Sequence, residues 1–174
     1  MLKKYKKMPL SSNKKINEIK VTIKQMEDFY GELITELEKK YKVPRELIYA
    51  IKLQESSDYL FVTGRYCYVG THGELGIMQI LPSTYNYLKK KYNLKYDVVE
   101  LCFDEVSLEV GTILIKDILE QYNNLYDLIS IYNCGTTYHK CKNNKITNKY
   151  IKDVLSPNGI LHTITKIINQ ITNQ

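Results

Sequence analysis

The chain has 174 residues, which is enough for one compact domain with its own core. Hydrophobic residues make up 44% and charged residues 25%, a balance that excludes a largely disordered protein. The formal net charge is +6, and the six lysines of residues 1–15, with no acid among them, account for all of it. We therefore predict a basic flexible arm over residues 1–15 and a single domain over residues 16–174.

The spacing of apolar residues predicts a mainly helical domain. They recur every three or four residues over 16–41, which is the period of an amphipathic helix that Gly31 could bend or split. A second helix is predicted over about 44–57, because Pro44 suits the first turn of a helix. Later helices are predicted at 82–91, 104–122, 125–132, 145–155 and 159–171.

The segment 58–73 breaks this helical period. β-branched and aromatic residues flank Thr63-Gly64-Arg65, which predicts a small β-hairpin near residues 59–70. Aromatic side chains alternate along it and would either stack on a sugar or fill a local core: Tyr59, Phe61, Tyr66 and Tyr68.

Glu55 is the first candidate for chemistry. It lies four residues after Ile51 and seven after Ile48, so it shares the apolar stripe of the second predicted helix. Desolvation there raises the pKa of a carboxyl group. A neutral carboxylic acid beside a glycosidic oxygen is what a general acid for glycan cleavage requires. The alternative is a glutamate at a helix end that makes a structural hydrogen bond or ion pair.

Two further motifs carry groups that could bind a glycan. In the segment GELGIMQI at 73–80, glycines permit close approach to a ligand, Gln79 offers a donor and an acceptor, and Met78 offers an apolar surface. Tyr132 is the last residue of the predicted helix 125–132 and Asn133 follows it, and the two could present a hydroxyl and an amide to the same cleft. Taken singly, these motifs also fit a plain tight turn and a buried tyrosine with a helix-capping asparagine.

The order and spacing of the motifs resemble those of the soluble lytic transglycosylase (SLT) domain family. The resemblance covers about residues 27–155 and runs through Glu55-Ser56, the segment 73–84, Tyr132-Asn133-x-Gly135 and Tyr150-Ile151. The chain departs from the family pattern in a longer segment 58–72, at Ser57-Asp58, and at Ser107, where the family often has an asparagine.

The resemblance implies a mainly α, lysozyme-like fold of the α+β lysozyme superfamily, with a long glycan groove. It implies cleavage of the β-1,4 bond between N-acetylmuramic acid and N-acetylglucosamine, with a 1,6-anhydromuramic product. By the same resemblance Glu55 is the catalytic acid and base, and no metal ion or other cofactor is needed. The residues that would bind substrate or orient Glu55 are Ser56, Gly76, Met78, Gln79, Tyr132, Asn133 and Tyr150.

Other readings remain open. A muramidase of the goose-type lysozyme kind would share the fold but would need a second carboxylate to activate water, for which Asp58 and Glu74 are nearest in sequence. An inactive lysozyme-like structural or assembly protein is the alternative from another class. Nucleic-acid binding is not expected, because neither zinc-finger spacing nor a basic recognition helix accompanies the arm.

The implied partner is the glycan strand of peptidoglycan, cleaved by a monomer outside the cytoplasm. The N-terminal lysines are not followed by the apolar run of a signal peptide, and no stretch could span a bilayer. We therefore expect delivery by a phage particle, a holin or a secretion machine. The apolar stripe over 160–171 is expected to pack on the domain, with docking of a partner as the alternative.

The four cysteines match no standard zinc spacing. Cys134 and Cys141, with His139 between them, could still bind a metal ion. An oxidising compartment would allow any of three disulfide pairings among four cysteines. Free, mostly buried thiols are the interpretation that the sequence favours, with Cys67 and Cys102 as the other two.

Overall fold

The computed structural model of the chain describes residues 12–56 and 67–172, with side chains described within 19–56 and 67–170. Over these ranges the protein is mainly α-helical, as predicted. Its elements are α1 (Ser12–Tyr41), α2 (Arg45–Ser56), α3 (Pro82–Tyr92), a 3-10 helix (Val98–Cys102), α4 (Asp104–Tyr122), α5 (Leu125–Cys134), α6 (Tyr138–Cys141), α7 (Lys145–Leu155) and α8 (Ile160–Thr172).

The first helix is longer than predicted and is continuous across Gly31. It begins at Ser12, inside the stretch that the sequence assigned to the arm. A glycine inside a helix costs about 1 kcal/mol relative to alanine. Burial of one face outweighs this cost, because Ile23, Met26 and Ile34 have no exposed surface.

The second helix lies at the centre of the domain and carries Glu55 in its last turn. It packs against α1, α4, α7 and α8. The predicted stripe is buried, but Tyr49, Ala50 and Lys52 are buried too, so neighbouring helices cover α2 on several sides. A helix packed in this way cannot shift alone, which fixes the position of its C-terminal end.

The last helix packs on the domain, as predicted. Ile160, Ile164, Ile167 and Ile168 are buried, and α8 contacts α1, α2 and α7. None of the described helices combines the length and the apolar character needed to cross a membrane.

The predicted β-hairpin near residues 59–70 falls mostly on 57–66, outside the described residues, and it stays a prediction. Tyr59, Phe61 and Tyr66 lie there as well, and residues 1–11 of the basic arm are likewise outside. In the described part, β-pairing consists of isolated bridges from Leu75 to Val69 and to Ile80.

The preference for free thiols was wrong, because all four cysteines lie in the described ranges and are paired. Cys67 bonds to Cys102, which links the beginning of the described range 67–172 to the end of the 3-10 helix. Cys134 bonds to Cys141, which ties the end of α5 to α6. Spacing along the chain could not indicate these pairs, since proximity in the fold selects them.

We expect the Cys67–Cys102 bond to contribute the larger share of stability. It joins residues 35 apart, and closing such a loop in the unfolded chain corresponds to about 4 kcal/mol. The Cys134–Cys141 bond joins residues 7 apart and corresponds to about 2 kcal/mol. Denaturant unfolding of the two double cysteine-to-serine variants measures this difference. An equal or reversed order would contradict the loop-length account.

Candidate active site

The turn 76–80 is the point at which the candidate site is assembled. Gly76 has a φ of 72° and Gln79 a φ of 50°, both in the left-handed region. A β carbon on Gly76 would lie 1.9 Å from the carbonyl oxygen of Leu101 and 2.5 Å from Oγ of Ser107. Glycine at position 76 is therefore required both by its backbone angle and by the close approach of a neighbouring chain segment.

Three hydrogen bonds attach this turn to three different helices. The hydroxyl of Ser56 donates to the carbonyl oxygen of Ile77 at 2.8 Å. The backbone N–H of Met78 donates to Oγ of Ser107 at 3.0 Å, and the hydroxyl of Tyr132 donates to the carbonyl oxygen of Met78 at 2.8 Å. The ends of α2 and α5 and the first turn of α4 thus meet at one turn.

Glu55 meets Tyr150 at the junction of α2 and α7. The carboxylate is half-buried, and Tyr150 is only 5% exposed. The phenol hydroxyl of Tyr150 donates a hydrogen bond to Oε1 of Glu55. A hydrogen bond contributes about 0.5–1.5 kcal/mol, so this contact favours one orientation of the carboxyl group.

Both tyrosines near Glu55 remain phenols at neutral pH. Burial, and then the negative charge of Glu55, raise the pKa of Tyr132 and of Tyr150 well above the usual range for tyrosine. Each hydroxyl therefore stays a hydrogen-bond donor. The same electrostatic coupling places Tyr132 in the surroundings of Glu55, although its hydroxyl donates elsewhere.

The two amides predicted to bind substrate leave different groups for a ligand, an acceptor on Gln79 and a donor on Asn133. Gln79 donates through Nε2 to the carbonyl oxygens of Gly76 at 2.8 Å and Tyr68 at 3.4 Å, so its Oε1 is the atom that can serve a ligand. Asn133 accepts through Oδ1 from the hydroxyl of Thr147 at 3.0 Å, so its Nδ2 is the corresponding group. One amide can accept and the other can donate.

Two of the predicted substrate ligands hold internal positions. Met78 has no exposed surface and lies against Gly111, where a β carbon would come within 2.6 Å of its Cε. It therefore differs from the expectation that it offers a surface to a sugar. Ser56 is 3% exposed, and its hydroxyl serves the turn. Both residues are buried and support the turn 76–80 through packing and hydrogen bonding.

A buried charge lies one helical turn before Glu55. Lys52 has no exposed surface, and its charge interacts electrostatically with Asp104 at the start of α4. Burial raises the pKa of Asp104, against the hydrogen bond from Tyr30 and the charge of Lys52, which favour the ionised form. Lys52 is thus accompanied by a carboxyl group and does not stand alone beneath the site.

The described side chains offer no preformed metal site. Within 19–56 and 67–170, no group of three or more His, Cys, Asp or Glu residues could hold a metal ion. The pairing of Cys134 with Cys141 also removes the two thiolates that the metal-binding alternative required.

Residues 32–155 match the family model of the transglycosylase SLT domain. The chain belongs to this family. The match begins inside α1 and ends at the last residue of α7, so it contains every element that carries the candidate site. A comparison with curated proteins gives no match.

The fold of this SLT domain is also found in a solved structure. It is similar to the lytic transglycosylase Slt from Pseudomonas aeruginosa, solved as an inactive mutant with a glutamine in place of a glutamate, with a TM-score of 0.66 and 16% sequence identity. The similarity covers 83% of this chain and 24% of that protein. At this identity the likeness shows the fold alone, and it agrees with the predicted mainly α, lysozyme-like class.

Sequence reasoning missed two residues that build the SLT site. Ser107 stood out only as a departure from the family pattern, yet it accepts the hydrogen bond that anchors Met78. Thr147 carried no signal, although it is fully buried and bonded to Asn133. Both act through contacts between residues distant in sequence, which hydrophobic periodicity does not report.

Proposed function

We propose that this protein is a lytic transglycosylase that cleaves the β-1,4 bond between N-acetylmuramic acid and N-acetylglucosamine in peptidoglycan. The observation that carries the proposal is the hydrogen bond from buried Tyr150 to half-buried Glu55, beside the turn 76–80. It gives the chain one positioned carboxyl group at a site assembled from several helices. The inactive glutamine mutant of the Pseudomonas Slt, whose fold is similar, supports the choice of a glutamate.

In this mechanism Glu55 acts twice. As an acid it gives its proton to the oxygen of the leaving N-acetylglucosamine, and the bond from that oxygen to C1 of muramic acid breaks. The substrate's own acetamido oxygen assists at C1, in place of a second carboxylate. As a base, Glu55 then takes the proton of the C6 hydroxyl, whose oxygen bonds to C1. The 1,6-anhydro ring closes, no water is consumed, and the glutamate is again protonated.

The rival hydrolase needs a second carboxylate, and the contacts of Glu74 do not favour that role. Its carboxylate accepts the backbone N–H of His72 at 2.9 Å and lies 3.2 Å from the ring of the same histidine. Glu74 thus stabilises the turn 70–75. The other candidate, Asp58, lies outside the described residues.

The two disulfides support action in an oxidising environment, where such bonds persist. This agrees with a wall polymer outside the cytoplasm as the substrate.

Product analysis tests the reaction type. We expect purified peptidoglycan digested in ¹⁸O-labelled water to yield muropeptides with unlabelled anhydromuramic ends, because the C6 oxygen and not water attacks C1. Mass spectrometry distinguishes these products from hydrolytic ones, which carry one additional water and one labelled oxygen. Labelled reducing ends would establish the muramidase alternative on the same fold.

A further inference from the structure

One face of α7 contacts two of the residues assigned to the site. Thr147 and Tyr150 lie three residues apart on this helix and therefore on the same side of it. Tyr150 donates to the carboxylate of Glu55, and Thr147 donates to the amide oxygen of Asn133 at 3.0 Å. The helix thus positions both the proposed acid and a proposed ligand of the glycan.

The hydroxyl of Thr147 differs from those of other helical threonines in this chain. The hydroxyls of Thr35, Thr112 and Thr165 each donate to the carbonyl oxygen four residues earlier in their own helices, and that of Thr163 donates to the carbonyl oxygen of Gly159, just before α8. Thr147 lies in the first turn of α7, and its hydroxyl bonds to a different helix instead of to the carbonyl oxygen four residues earlier. Its hydroxyl therefore donates away from α7, to the side chain of Asn133.

Burial decides how Thr147 can act. It has no exposed surface, so it cannot touch a glycan, whereas Asn133 is half-buried and can. The hydrogen bond from Thr147 holds the amide of Asn133 in place. A flipped amide would keep this contact in reverse, with Nδ2 donating to Oγ1 of Thr147. In the arrangement found, the Nδ2 group is the end left for a ligand, and it is a donor suited to an acceptor oxygen such as the carbonyl of an N-acetyl group.

We propose that Thr147 is a positioning residue that holds the side chain of Asn133 in place to bind N-acetylated glycan, and so sets substrate affinity without entering the chemistry. The proposal rests on the proposed function, because it needs a glycan at Asn133. It assigns Thr147 a role in recognition, separate from the role of Tyr150 in holding the acid.

The test uses calorimetric binding of a β-1,4-linked N-acetylglucosamine tetrasaccharide to the Glu55→Gln protein, which cannot consume it. We expect Thr147→Val to weaken binding about five- to tenfold, the effect of one misplaced hydrogen bond. Thr147→Ser keeps the hydroxyl and should bind within about twofold of the parent. Thr112→Val is the matched control, because Thr112 is equally buried but bonds only to its own helix.

Two further measurements separate positioning from a loss of structure. With Glu55 intact, Thr147→Val should raise KM for soluble glycan strands about five- to tenfold and leave kcat within about twofold. In the Asn133→Ala background, the same change should have no further effect on binding. If Thr147→Val fails to fold, Thr147→Ala compared with Thr147→Ser asks the same question.

The outcomes distinguish failure of this inference from failure of the proposed function. If the Glu55→Gln parent binds the tetrasaccharide and Thr147→Val binds as tightly as Thr112→Val, Thr147 does not position the ligand. If Thr147→Val lowers kcat and leaves KM unchanged, its role is not in affinity. If the parent binds glycan strands of peptidoglycan but not the tetrasaccharide, this inference is overturned and the proposed function stands. If it binds neither, both are overturned.

Discussion

Replacing Glu55 with glutamine is expected to lower peptidoglycan cleavage by about 1,000-fold or more, within the range that general acid–base catalysis supplies. Glutamine has nearly the same shape and can still accept the hydrogen bond from Tyr150, so the site should stay assembled. It cannot donate a proton to the leaving oxygen or remove one from the C6 hydroxyl. The loss should therefore appear in kcat, measured as release of soluble muropeptides from purified sacculi.

Glu46→Gln is the matched control for this experiment. Glu46 lies in the first turn of the same helix, nine residues and about 13 Å along the axis from Glu55. We expect its activity to stay within about twofold of the wild type. Undiminished cleavage by Glu55→Gln would mean that another group is the acid. No cleavage by the wild-type protein would favour the inactive structural or assembly protein.

Replacing Gly76 with alanine is expected to destabilise the fold by about 3 kcal/mol or more, from backbone strain and overpacking together. The new methyl group would meet the backbone oxygen of Leu101 at 1.9 Å, and a backbone carbonyl cannot rotate away as a side chain can. The φ of 72° adds a penalty for any residue with a β carbon. Denaturant unfolding measures the loss.

Gly73→Ala separates the two causes. Gly73 has a φ of 85°, but a β carbon there would have nothing within 4 Å. This variant should lose only about 1 kcal/mol, the cost of the left-handed backbone alone. Equal losses in the two variants would show that the contact with Leu101 is not tight. Because the turn also carries Gln79, the Gly76 variant should lose activity beyond the fraction that is unfolded.

The helices were predictable where their periodicity was regular. The bounds of α4 and α7 match the prediction because each carries a sustained apolar face. The 3-10 helix Val98–Cys102 and the short α6 were missed, since neither is long enough to display a period. The prediction of one buried stripe on α2 was too narrow, because a central helix is covered by several neighbours and Lys52 is buried within it.

The candidate site was predictable in its residue types and not in its contacts. Motif spacing selected Glu55, Tyr132 and Tyr150, which lie near one another in the structure. It could not indicate that Tyr132 bonds to the backbone of Met78, or that the side chain of Met78 is buried. These depend on how α4, α5 and α7 pack, and packing is fixed by contacts between distant parts of the chain. The same reason explains the unpredicted cysteine pairs.

A structure of the Glu55→Gln protein with a bound peptidoglycan oligosaccharide tests the central claim most directly. We predict that a glycosidic oxygen lies within about 2.6–3.2 Å of the residue-55 side chain, the reach of a proton transfer. The C6 hydroxyl of the adjoining muramic acid should face the same side chain. An oligosaccharide bound elsewhere, or bound with residue 55 out of reach of every glycosidic oxygen, would contradict the account.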